Sequence, residues 1–98
     1  MADLRFAWDE RKSVANARKH GVTFAEAETV FLDEEALVIT DPDHSDDEDR
    51  FVLLGLSMRL RALVVCHCYR EHDSVIRIIS ARKADRHERA RYERRRRR

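Results

Sequence analysis

Glycine and proline are nearly missing from this 98-residue chain, which holds 2 and 1 of them, and cysteine contributes only 2 residues. The shortage of glycine excludes two kinds of site. Ser80 lies between Ile79 and Ala81, without the glycine elbow that presents a hydrolase nucleophile. The acidic stretch that begins at Asp41 puts Asp46 where a calcium loop requires glycine, and Val52 where it requires a bidentate glutamate. Cys66 and Cys68 flank His67 in an apparent strand, so both thiols point to one face and the imidazole to the other. One strand cannot aim all three at one metal, and cysteines two apart are poorly placed for a disulfide, so both read as buried core residues. No metal or other cofactor is expected. Aromatics make up 7% of the chain, which leaves few platforms for stacking bases. No apolar run is long enough to span a membrane and no secretory segment opens the chain, so a cytoplasmic protein is the expectation.

What the chain has in quantity is charge, at 40% of residues, and its net of +1 hides a division. Residues 1–49 carry 5 Lys+Arg against 14 Asp+Glu, a net of −9; residues 50–98 carry 15 against 5, a net of +10. A basic half beside an acidic half suggests internal pairing or a surface for a polyanion, and nucleic acid suits it better than an acidic metabolite. A chain this short makes one domain with a modest core, so function is expected on an open surface or groove. The division expected is a single domain over 1–93 and a basic arginine tail over 94–98.

Leu4-Arg5-Phe6-Ala7-Trp8 alternates like a short edge strand. Asp9 reads as the N-cap of a helix running to His20, with Gly21 in the left-handed position that ends it. Thr23 and Glu26 fit a capping box for a second helix, which sets Phe24, Ala27, Val30 and Phe31 on one face. Residues 36–40, 51–57, 61–69 and 75–80 are β-rich runs with short connections, as an antiparallel meander needs. From Ala81 the composition turns helical and basic, with only Ala81, Ala84 and Tyr92 to dock it. The expectation is an α+β two-layer domain: two helices packed on a small antiparallel sheet, with a short C-terminal helix.

Two segments carry chemistry. Trp8, Lys12, Asn16 and Lys19 fall near one helical stripe with His20 at its edge, either a solvated face anchored by Trp8 or a basic row ending in an imidazole. In the last strand, alternation sends Arg77 to one face with Val75 and Ile79, and Ile76, Ile78, Ser80 and Arg82 to the other. A charged Arg77 between β-branched neighbours is costly unless it is paired or reaches a groove. Arg50 and Arg70, at strand ends, can join it or pair with the acidic loop. Such a set suits RNA cleavage, in which the 2′-OH attacks its own 3′-phosphate. Arginine and lysine stabilise the phosphorane, and a His, Glu or Tyr moves protons, with no metal required.

The chain resembles the BrnT toxins of bacterial type II toxin–antitoxin systems. The resemblance runs through Phe6-Ala7-Trp8-Asp9, Lys12, Asn16, Lys19-His20-Gly21-Val22, Phe24, Ala27, Val30-Phe31, Arg50 and Gly55. It continues in Arg77-Ile78-Ile79-Ser80-Ala81-Arg82, Ala84, Glu88 and Tyr92. It implies a RelE-like fold and an endoribonuclease that arrests translation when freed from a BrnA-like ribbon-helix-helix antitoxin, whose complex binds DNA. On that footing His20 and Tyr92, with Glu88 behind them, are expected to move protons. Lys19, Arg50, Arg77 and Arg82 are expected to hold phosphate, helped by Lys12 and Arg70. One groove is expected, walled by Arg77, Arg82, Glu88 and Tyr92 on one side and by Lys19 and His20 on the other. Two other readings fit the same residues: a non-catalytic nucleic-acid-binding module, and an interaction protein assembled through its opposite charges.

Overall fold

The chain runs β1 (Arg5–Ala7), α1 (Glu10–His20), α2 (Phe24–Thr29), a 3-10 turn (Val30–Leu32), β2 (Leu37–Ile39), β3 (Phe51–Leu56), β4 (Ala62–Arg70), β5 (Val75–Lys83) and α3 (Arg86–Arg96). This is a computed structural model that describes residues 4–40 and 49–97, so all but the last residue of the acidic loop lies outside the described residues. Local chemistry fixes the helix ends. The Asp9 carboxylate accepts from the Arg11 and Lys12 amides, and Gly21 closes α1 at φ 68°, where a side chain would be strained. Thr23 caps α2 by accepting from the Glu26 amide. The other half of the expected capping box does not form. Glu26 is buried and turns instead to the Arg61 guanidinium and the Ser57 hydroxyl, because a buried carboxylate needs a charged partner.

The sheet has the order β1-β5-β4-β3-β2. The four strands β2 to β5 form the antiparallel meander, but β1 joins β5 in parallel, so the sheet is mixed rather than antiparallel. No hairpin ties β1 to β5, so no tight turn dictates its direction. β5 also continues past Ser80. Ala81, Arg82 and Lys83 still pair with Val65, Val64 and Leu63, and the last helix waits for Asp85, whose capping box with Glu88 starts α3.

Two buried clusters lie on opposite faces. Leu63, Val65, Ile78 and Ala81 pack against Val22, Phe24, Ala27 and Val30, under α1 and α2. Val52, Leu54 and Val64 face Ala84 and Tyr92 across the sheet. α3 therefore covers part of the second face, and the expected two-layer arrangement gives way to helices on both sides. Gly55 permits the close approach of the 3-10 turn: a Cβ there would lie 2.8 Å from both Ala36 Cβ and Val30 Cγ1. Among the described residues no helix is long and apolar enough to cross a membrane.

Candidate nucleic-acid interface

A register shift decides where the arginines of β5 point. His67 pairs with Ile78 and Cys66 with Ser80, so Ile79 has no Cα partner and the regular alternation breaks there. Arg77 lies opposite Cys68 and Arg82 opposite Val64. Those two β4 positions are four apart, which puts both arginines on the α3 face and corrects the opposite faces expected from strict alternation. Cys66 and Cys68 are both buried and His67 points the other way, as the strand pattern requires.

Arg77 is half-buried and has no ion pair or side-chain hydrogen bond among the described residues. Arg70 ends β4 on the same parity as Cys68, and Arg50 precedes β3 on the parity of Val52 and Leu54, so both join the α3 face. Arg82 is held in a fork, its two terminal nitrogens donating to the two Glu88 oxygens at 2.7 and 2.9 Å. That pairing outweighs burial and holds the Glu88 carboxyl below the usual range, with help from the Asp85 amide. Four arginines and one ionised glutamate thus share one side of the sheet.

Tyr92 belongs to the core. It is 2% exposed and its hydroxyl donates to Asp33 Oδ2 at 2.5 Å. Burial first, and the Asp33 hydrogen bond second, push its phenol far above the ordinary range, so it stays protonated well past neutral pH. It anchors α3 rather than opening towards a groove.

Lys12, Lys19 and His20 sit elsewhere. β1 covers only the start of β5, and α1 lies along the edge beyond it. Asn16 Nδ2 donates to the Ala81 and Val22 carbonyls at 2.8 and 2.9 Å, and its Oδ1 accepts from the Ala81 amide. Asn16 therefore leaves the expected basic row and replaces a missing strand partner. Trp8 packs edge-on against Phe24, as an anchor should. The exposed Lys12 sits in the first turn of α1, whereas Lys19 is exposed and His20 half-exposed at its C-terminal end. Lys83 joins them, its ammonium 3.9 Å from where a Gly21 Cβ would lie, and Arg61 donates to the Gly21 carbonyl. The expected single groove is thus two basic groups flanking the end of β5 from opposite faces. Lys83 escaped the sequence reading, although its place next to Arg82 on a strand signals the opposite face. Asp33 escaped it too, since no local pattern ties it to Tyr92.

Arginines gathered on one sheet face of a small α+β domain make a surface whose charge suits a polyanion. The family model for the ribonuclease toxin BrnT of type II toxin–antitoxin systems matches residues 8–88. The chain belongs to that family. The fold agrees: the crystal structure of the Brucella abortus ribonuclease toxin BrnT superposes with a TM-score of 0.65 at 26% identity, over 85% of this chain and 99% of that one. No curated protein matches the chain.

Proposed function

We propose that this toxin cleaves RNA in the cytoplasm on its arginine face, by attack of the 2′-OH on the adjacent phosphate without a metal, and so inhibits translation. The unpartnered, half-buried Arg77 carries this reading. A cation held on a rigid strand without a counter-charge is costly to the fold and useful to a phosphate. Arg82, oriented by Glu88, supplies the second fork on the phosphorane, while Arg50 and Arg70 grip flanking phosphates. Glu88 is ionised beside Arg82 and serves as the proton acceptor for the 2′-OH. Lys19 and His20, joined by Lys83, guide the strand round the end of β5 on the face away from Glu88, Lys12 extends that basic row along α1, and the leaving oxygen takes its proton from solvent. Tyr92 acts through its hold on α3.

The reading extends to a RelE-like mode of action and to silencing by a BrnA-like ribbon-helix-helix antitoxin that carries the pair onto DNA. Purified protein incubated with RNA in excess chelator tests the chemistry. Fragments ending in 2′,3′-cyclic phosphate support it; binding without cleavage favours the non-catalytic module.

A further inference from the structure

Back to back with the arginines lies a pocket of opposite character. Phe51 and Tyr69 remain 41% and 39% exposed and meet edge to face, with centroids 5.4 Å apart at 69°. Buried His67 backs both rings, 6.1 Å from Phe51 and 5.5 Å from Tyr69. Among the described residues, Asp49 and Asp73 complete the lining of a cavity of about 400 Å³. Neither carboxylate has a side-chain partner among the described residues. Strand parity explains the sidedness. Phe51 and Tyr69 share the face of His67, while their neighbours Arg50 and Arg70 turn to the face of Arg77.

Two angled aromatic walls and two carboxylates select by charge. A phosphate is repelled, whereas a cation gains from both ring faces and from the acids. A guanidinium fits best, because its plane stacks on a ring while its fork reaches a carboxylate. A nucleobase would also stack, but it would bring its backbone phosphates against the acids. We propose that this pocket receives an arginine side chain from a basic segment of a protein partner, the antitoxin of this toxin. The proposal rests on the family's toxin–antitoxin reading and leaves the arginine face free of this contact.

The test uses the full-length protein, its cognate antitoxin as titrant, and two variants, Asp49→Asn/Asp73→Asn and Tyr69→Leu. The first removes charge at constant volume, so the fold is kept. Both are expected to bind the antitoxin roughly tenfold or more weakly, with the larger loss at low salt. RNA cleavage by the free protein is expected to stay at the wild-type rate. Unchanged antitoxin affinity overturns the proposal. A raised KM for RNA with unchanged antitoxin affinity overturns it too, and assigns the pocket to a base. Wild-type protein that fails to cleave RNA sinks the proposed function instead, while the titration still reads the pocket.

Discussion

Tyr92 and Asp33, 59 residues apart in sequence, are joined by a hydrogen bond of 2.5 Å that fastens α3 to the loop before β2. Asp33 also accepts from the Leu56 and Glu35 amides, three donors in all. Burial alone would raise its carboxyl, but these three donors together hold it below its ordinary value of 3.8.

Replacing Tyr92 with Phe keeps the ring and removes one donor to a charged acceptor, so the domain should lose about 1.5–3 kcal/mol. The loss has a pH signature. A depressed carboxyl contributes stability above its unfolded pKa and surrenders it as pH falls through the folded value, so the wild-type advantage should shrink below about pH 4. Urea titrations of both proteins across the acid range check this.

Asn16 offers a second test of the fold. Its side chain satisfies the Ala81 amide, the Ala81 carbonyl and the Val22 carbonyl, all buried. Asn16→Ala orphans those groups and should cost about 2 kcal/mol or more. Hydrogen exchange at the Ala81 amide should accelerate well beyond that of its β4 partner Val65, because the edge contact is lost before the ladder is.

His67 makes the domain sensitive near neutrality. Burial pushes its imidazole below the ordinary 6.5, with the Val65 carbonyl opposing only in part, so the folded state holds it neutral. Its contribution is present above pH 6.5 and fades as pH falls through the lower folded value, where the unfolded chain takes up a proton first. Unfolding free energy of the wild type should decline from about pH 6.5 downward. A His67→Phe variant that folds should lose that slope, and an unchanged slope would assign it to other groups.

The readable parts of the fold were those decided within a few residues. Asp9 and Thr23 mark helix starts by accepting from amides two or three residues on, Gly21 marks a helix end by its left-handed backbone, and the alternation around Cys66-His67-Cys68 is local too. What stayed hidden depends on distant partners. The unpaired Ile79 shifts every later side chain of β5, and only the β4 register shows it. Glu26 honours a local capping pattern until Arg61, 35 residues away, offers more. Tyr92 is visible in the sequence as a docking residue for α3, but its partner Asp33, 59 residues away, is not. Composition alone suggests a helix from Ala81, whereas Ala81, Arg82 and Lys83 keep strand pairing and the start of α3 is marked by Asp85 and Glu88, three apart as a capping box requires.

Arg77 separates function from stability most cleanly. It is half-buried without a counter-charge, so the fold gains little from its cation, whereas the proposed chemistry depends on it. Arg77→Met keeps much of the side-chain volume and should leave stability equal or slightly raised. Cleavage by the same variant should fall about 100-fold, the usual loss when one donor to a developing anion is removed. Arg77→Lys should recover only part of the rate, because an ammonium restores the charge and not the fork. Thermal unfolding and single-turnover cleavage on the three proteins read both quantities. A loss of stability matching the loss of rate would make Arg77 structural, and full activity in Arg77→Met would remove it from the site.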